Sequence, residues 1–387
     1  MNILIAPNSY KECVDSVRIA QIIQREISKN SQVNLFLRPL SDGGDGFRSV
    51  YSFIQQVNTS NKYKIISYSN HLFNYLFVYS KKDKTIFIES AELFGLKSIP
   101  ESKRNPLIIN SELLGKILEF LAKEIYENRI EIDEIYIGVG GTATIDFGIG
   151  ACSQLGLTLY NEKDEDIEPI PVNFSKTKRI SFVKKQLPYK IKCIVDVETE
   201  LIGNLGAIEI YGKQKGASGN DLAFIKKGIE NILELIQSDL GIKIPEKLNG
   251  AGGGLAVGLN LFYDAEIIPA RKFIKEVILN DINLDEIDLV ISGEGNFDFQ
   301  SFEGKGAGVI LDLFKNRKAK IILLNGDTTL AYNNSLPVSY THLRAHETVL
   351  DIVCRLLLEK KKLKIKKKKI NIITIYTIKY IYYYLKL

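Results

Sequence analysis

Residues 288–306, DLVISGEGNFDFQSFEGKG, constrain the fold more than any other stretch of this chain. Leu289, Val290 and Ile291 are consecutive apolar residues bounded by small ones, the pattern of a strand buried on both faces of a parallel sheet. That strand empties into a loop carrying Glu294, Asp298 and Lys305. Open α/β sheets bind ligands at this carboxyl end. Two carboxylates and a lysine on a Gly-rich loop suit a Mg-phosphate ligand, the acids for the metal and the ammonium for phosphate oxygens, although a solvated turn uses the same residue types.

The same junction recurs along the chain. Asn2 to Pro7 reads as a short apolar strand ending in Asn8-Ser9-Tyr10-Lys11, followed by a helix with Val17, Ala20, Ile23 and Ile27 on one face behind Asp15 or Ser16 as cap. Val33 to Leu40 is a second strand. It opens onto LSDGGDGF, with Asp42 and Asp45 flanking Gly43 and Gly44, and Phe47, Val50 and Ile54 continue as a helical face; Asp42 taken alone reads as an N-cap. Ile135 to Val139 runs into GVGGTATIDFGIGA, where the amides of Gly140, Gly141 and Thr142 can form an anion nest beside Asp146. Ile191 to Val195 delivers Asp196 and Glu198 into a loop that precedes YGKQKGAS with Lys213 and Lys215, either an anion clamp or surface charge.

The remaining segments have a different texture. Short runs from Lys62 to Glu89 (KIISYS, YLFVYS, TIFIES) read as antiparallel hairpins. Ser111 to Asn128 is helical, with Leu114, Ile117, Leu118, Leu121 and Ile125 on one face behind Asn110 or Ser111. A helix follows from Asp221 to Leu240, and the glycines of GAGGGLAVGLNLF read as tight packing. No GxxxxGK[ST] loop occurs, and no GxGxxG follows the first strand, which argues against a P-loop and against a nicotinamide dehydrogenase.

Net charge matters only once it is divided. From Val338 onward twelve Lys and Arg face three Asp and Glu, a net +9, so the body before it carries −4 of the chain's +5. A mildly acidic body lacks the basic stripe that nucleic-acid binding needs. VSYTHLRAHETVLDIVCRLLLEKKK resembles a translated sequencing adapter, and the Lys-, Ile- and Tyr-rich run after it reads as AT-rich read-through, so residues 338–387 are expected to be a non-native tail that leaves the last strand, Lys320 to Asn325, with an uncovered edge. A genuine basic extension for a membrane surface or RNA is the other reading of that segment. Four cysteines without a CxxC pair, and no run of about 18 apolar residues, suit a reduced, cytoplasmic protein without a membrane partner.

Taken in order, APNSYK, PLSDGGDG, GVGGTATIDFG, VDVETELIG, YGKQKGAS, GAGGGLAVGL and SGEGNFDFQSFEGK are similar to the motifs of the glycerate kinase family, which transfers a phosphoryl group of ATP to glycerate. The resemblance spans residues 1 to about 330. It implies a two-domain α/β protein: a flavodoxin-like or Rossmann-like parallel-sheet domain from both chain ends (1–65 and 286–337) and an inserted mixed α/β domain (66–285), with the site in the cleft. It further implies ATP and Mg2+ as cofactors and glycerate as the small-molecule substrate, phosphorylated at its 2- or 3-hydroxyl with the 2-phospho product favoured. Lys11 and Lys215 would meet anionic groups, Gly140, Gly141 and Thr142 phosphate oxygens, with Glu294 and Lys305 also on the nucleotide side. Ser9, Asp45 and Asp298 would join Lys11 on the substrate side. Asp42, Asp196 and Glu294 would supply metal ligands or the base, Asp196 being the expected base.

The chain departs from the family at neighbouring positions: Asn8, Tyr10 and Glu12 in the first motif, Ile145 and Phe147 in the third, Glu198 and Thr199 in the fourth. An alternative function from another class, a catalytically silent module binding a nucleotide or sugar-acid anion, is the expectation if the tail replaces the further strand and helix that family members carry after Asn325.

Overall fold

The computed structural model describes residues 1–328 except 11–12, 29–32, 58–62, 71–72, 81–82, 197–198, 204, 298–300, 302–305 and 326, together with residues 372–376. Lys11, Glu198, Asp298 and Lys305 therefore lie outside the described residues. The strands are β1 (Asn2–Pro7), β2 (Asn34–Leu37), β3 (Tyr63–Asn70), β4 (Phe73–Ser80), β5 (Thr85–Glu89), β6 (Glu134–Gly138), β7 (Leu157–Tyr160), β8 (Asp166–Ile167), β9 (Arg179–Phe182), β10 (Lys190–Val195), β11 (Glu266–Pro269), β12 (Leu289–Gly293), β13 (Asn296–Phe297), β14 (Lys320–Asn325), β15 (Asp327–Thr328) and β16 (Ile372–Tyr376). The helices are α1 (Ser16–Ser28), α2 (Phe47–Val57), α3 (Ser90–Phe94), α4 (Glu112–Tyr126), α5 (Ile149–Gln154), α6 (Pro171–Phe174), α7 (Ala207–Tyr211), α8 (Gly219–Leu240), α9 (Leu255–Tyr263), α10 (Ala270–Phe273) and α11 (Gly306–Phe314).

The fold class is α/β, and the chain divides into two compact units. One comprises Met1–Ser41, Ser49–Ile54 and Ala270–Leu387; the other comprises Asp42–Arg48 and Gln55–Pro269. These limits differ from the sequence boundaries at 65 and 286. The hairpin strand β3 already belongs to the second sheet at Tyr63, and α10, beginning at Ala270, contacts α11 of the first unit.

The first unit is built on a five-stranded sheet in the order β16-β14-β12-β1-β2, parallel throughout. Counted in chain order within this sheet, the arrangement is 2-1-3-4-5, the flavodoxin-like doubly wound order, whose direction reverses between β1 and β12. Ile3 and Ile5 join Leu289, Ile291, Ile322 and Leu324 against Ile19, Ala20, Ile23 and Ile27 of α1. That pairing reflects α1's 3.6-residue apolar spacing, and its start is capped by Asp15, whose Oδ1 accepts from Arg18 N at 2.8 Å. Buried α11 contacts β1 and β12 without joining the α1 cluster, so the sheet is covered on both faces, which is why its strands are apolar at consecutive positions.

One expectation about this sheet is corrected. The outer edge of β14 is not left bare: β16 pairs with it in parallel, from Ile321 opposite Ile372 to Asn325 opposite Tyr376. The segment IITIY is β-branched or aromatic at every position, a composition that favours a strand despite its Lys-rich surroundings. The rest of the region assigned to a tail, residues 338–371 and 377–387, lies outside the described residues.

The second unit carries a six-stranded sheet, β11-β10-β6-β5-β4-β3. Strands β5, β6, β10 and β11 are parallel, whereas β3, β4 and β5 pair as antiparallel hairpins. A small antiparallel sheet, β8-β7-β9, stands apart from it in pairing. Leu114, Ile117, Leu118 and Leu121 of α4 and Leu222, Ile225, Ile229, Ile232 and Ile236 of α8 bury into one core with Ile135, Ile137, Cys193 and Val195. Helix α8 starts with a capping box in which Ser218 and Asp221 exchange side-chain to backbone bonds, and it stops at Gly241.

Candidate active site

In the second unit the carboxyl ends of β5, β6 and β10 lie side by side, with Glu89 opposite Gly138 and Gly138 opposite Ile194. Across these ends runs the loop Asp42–Arg48. Gly140 N donates to Gly43 O at 3.0 Å. Gly43 is in the left-handed region at φ +92°, and a Cβ there would stand 2.7 Å from the carbonyl oxygen of Ile194, so only glycine lets this crossing form. A Cβ on Gly140 would meet Gly44 Cα at 2.9 Å and the Asp196 carboxylate at 3.4 Å, which sets Asp196, just past β10, beside the crossing.

Asp42 is no cap of α2: its Oδ1 accepts from Gly44 N at 3.3 Å, a turn within the loop. Asp45 pairs with Lys97 at 2.8 Å. Thr142, only 2 % exposed, has a buried hydroxyl without a hydrogen-bond partner. Buried polar groups are normally satisfied, so this hydroxyl is a donor that a phosphate oxygen could take up. Lys215, also buried, donates from Nζ to Thr144 O at 2.9 Å. Burial lowers its pKa to about 8, against the upward pull of Asp146 and Asp196.

Asp146 behaves differently. Its fully buried carboxylate accepts from Ser111 N at 2.7 Å, Ser111 Oγ at 2.6 Å, Gly148 N at 3.3 Å and Gly150 N at 3.2 Å. Those bonds tie the loop after β6 to the start of α4. Ser111, one of the two expected caps, is thereby committed to Asp146, and Asn110 instead accepts the N–H of Glu112 at 3.1 Å. The Gly-rich segment before α9 packs here too, with Phe147 N donating to Gly253 O at 3.1 Å.

In the first unit the ends of β1 and β12 flank the point where the sheet order reverses. Asn8 N donates to Gly293 O at 2.8 Å, Ser9 N to Asn8 Oδ1 at 2.9 Å, and Glu294 N to Asn325 Oδ1 at 3.3 Å. A Cβ on Gly306, at the start of α11, would fall 2.1 Å from Asn8 Nδ2. Glu294 is 8 % exposed here.

A sequence-family model described as the glycerate kinase family matches residues 3–366. The chain belongs to the glycerate kinase family. It is 34% identical over 312 residues to glycerate kinase of Neisseria meningitidis serogroup B, covering 79% of this chain and 80% of that protein. Against glycerate 2-kinase of Escherichia coli K12 the identity is 29% over 337 residues, 85% of this chain and 86% of the other. A crystal structure labelled glycerate kinase 2 from Salmonella typhimurium LT2 superposes with a TM-score of 0.70 at 26% identity, covering 86% and 88% of the two chains. Membership makes this chain a phosphotransferase.

Of the residues this glycerate kinase family sequence marks out, the second unit gathers Asp42, Asp45, Gly140, Gly141, Thr142, Asp196 and Lys215, while Ser9 and Glu294 belong to the first unit. Sequence reasoning missed Glu89. It is 4 % exposed at the end of β5, and burial, with Glu92 and Asp45 adding negative potential against N–H bonds from Gly46 and Arg48, raises it to about 7. The available signal was the apolar run Ile86-Phe87-Ile88 ending directly in an acid, as Val290-Ile291 does after two intervening residues at Glu294.

Among the described residues no group of three or more His, Cys, Asp or Glu forms a metal-ligand set. Mg2+ does not need one, since it binds through one or two carboxylates plus waters and phosphate oxygens. Asp42 and Asp196 fit that demand, because both flank Gly44: one accepts its N–H, and the other stands beside the Gly140–Gly44 approach. Among the described residues no helix is long and apolar enough to cross a membrane.

Proposed function

We propose that this chain phosphorylates the 2-hydroxyl of D-glycerate with ATP, releasing 2-phosphoglycerate and ADP, in the cytoplasm. The observation that carries this reading is the Asp196 carboxylate beside the Gly43–Gly44/Gly140 crossing, in the same unit as an orphaned Thr142 hydroxyl and a buried Lys215. Phosphoryl transfer needs positioning, charge neutralisation and one proton acceptor, with little covalent work by the protein.

Asp196 takes the proton of the attacking hydroxyl as general base. Thr142 and the amides of Gly140 and Gly141 hold phosphate oxygens, and Lys215 supplies positive charge, being protonated below about pH 8. Asp42 and Asp196 would hold Mg2+, which when bound neutralises phosphate charge. Asp45 orients the substrate. In the first unit Ser9 and Glu294 are assigned to substrate and to nucleotide or metal respectively, and Lys11, Asp298 and Lys305 keep the roles the family resemblance implies. The three free cysteines among the described residues suit a reduced compartment.

The deciding experiment is coupled detection of ADP with D-glycerate and Mg-ATP, with the product's phosphate position read by 31P NMR. ADP formation that requires D-glycerate and Mg2+, with phosphate on the 2-oxygen, is expected. Glycerate and ATP binding without any ADP would replace this reading with a silent binding module.

A further inference from the structure

Glu89 has no part in the roles above, yet its carboxylate holds the loop that crosses this edge. Its Oε1 accepts from Gly46 N at 2.9 Å and its Oε2 from Arg48 N at 3.2 Å. Its own N–H is held by the Tyr75 hydroxyl of β4 at 3.0 Å. The next residues fasten the same loop again: Glu92 takes the Arg48 guanidinium through two bonds of 2.8 Å, and Lys97 takes Asp45 at 2.8 Å. One nine-residue stretch, 89–97, thus grips the loop that carries Asp42 and Asp45 through backbone and side chain alike.

We propose that Glu89 is a positioning residue that holds the Asp42–Arg48 loop in its substrate-binding geometry, so that substrate affinity depends on it more than the chemical step does. The inference rests on the kinase reading for the roles of Asp42 and Asp45, but the grip itself is independent of that reading. A carboxylate satisfies two N–H donors at once, and its removal strands both against the end of β5.

The charges around Glu89 set its pH response. Glu92 and Asp45 are acidic neighbours, Arg48 and Lys97 are paired with those acids, and Tyr75 touches its backbone. Because burial and Glu92 lift Glu89 from 4.5 to about 7 against the N–H bonds of Gly46 and Arg48, the closed edge binds the proton more tightly than a loosened one that leaves the carboxylate in water. The grip is therefore firmest at acid pH and weakens as pH rises through this window, with no further change above about 7.

The first measurement is site-resolved amide hydrogen exchange at Gly46 and Arg48 in the wild type, Glu89→Gln and Glu89→Ala. The Ala variant should lose about tenfold or more of the protection at both amides while Ile135–Ile137 of β6 keep theirs. The Gln variant keeps the volume and one acceptor, guarding against mere misfolding, and should remove the pH dependence of protection between 5 and 7. Unchanged protection in Glu89→Ala, or wild-type protection that rises with pH, overturns the proposal.

In steady-state kinetics Glu89→Ala should raise KM for glycerate about tenfold with kcat altered less than about threefold. The ratio of wild-type to Glu89→Gln KM should rise between pH 5 and 7, since substrate ionisation cancels in it. A loss confined to kcat also overturns the assignment. If the wild type forms no ADP from glycerate, the kinase reading falls, and amide exchange still decides whether Glu89 holds the loop.

Discussion

Both units end parallel strands in polar loops, but the two edges are held by opposite means. At the β1/β12 edge, side chains bond to nearby backbone: Tyr10 OH to Leu324 O, Ser292 Oγ to Ala6 O at 2.7 Å, and Glu294 N to Asn325 Oδ1. At the β5/β6/β10 edge a loop distant in sequence from all three strands is laid across them and held by glycine contacts, ion pairs and a titrating carboxylate. Both edges join segments distant in sequence, the first through the uncharged donors and acceptors just named and the second through ion pairs and a buried carboxylate as well, so the second is the one expected to respond to charge.

The largest effect separating the two should come from Asp196→Asn, which removes the assigned base of the second edge. A fall in kcat of about 10²- to 10⁴-fold with the melting temperature unchanged is expected in the ADP assay. A wild-type kcat would move the base elsewhere.

Gly293→Ala should break the other side of the comparison. Its φ is +147°, and an added Cβ would lie 1.7 Å from Leu324 O, so the β12/β14 junction has to shift. A loss of about 3 kcal/mol or more in urea unfolding is expected. An unchanged midpoint would show that the first edge yields more easily than its packing implies.

Asp146→Asn tests whether the second edge also contains a purely structural acid. The amide cannot accept all four donors from Ser111, Gly148 and Gly150, so about 1–3 kcal/mol of stability should go. Thermal unfolding measures it.

The smallest effect is the pH response of Lys215. Its ammonium is lost above about pH 8, so KM for the anionic ligand it meets should climb up to tenfold per unit beyond that point, and Lys215→Arg should flatten the rise. Stability runs the other way. The folded pKa lies below the ordinary 10.5, so the cost of the buried charge is full below pH 8 and is relieved between about 8 and 10.5. Unfolding midpoints relative to Lys215→Met should rise across that window.

How far these features were legible in the amino-acid sequence depended on whether the responsible forces are local. β1, β12 and β14 declare themselves because burial on both faces demands consecutive apolar residues, and Asp196 and Lys215 stand out beside strand ends and glycines. Asp146 stood out only as a carboxylate beside the possible anion nest, and its structural task did not show. Its partner Ser111 is 35 residues away, and no local pattern reveals such a bond. Glu89 escaped notice because Ser90 and Ala91, not glycines, follow it, and the hairpin texture of 62–89 hid a strand that is antiparallel on one side and parallel on the other. β16 was masked by the lysines around it.

The pairing of Ile3 with Leu289 has a consequence during synthesis. At about 5–20 residues per second, β1 waits roughly 15 to 60 s on the ribosome before its neighbour β12 is made. The second unit's strands and helices all emerge in that interval. The nascent chain thus carries β1 with only β2 and α1 as partners through most of its translation, and the first unit can close only when β12 and β14 arrive near the end.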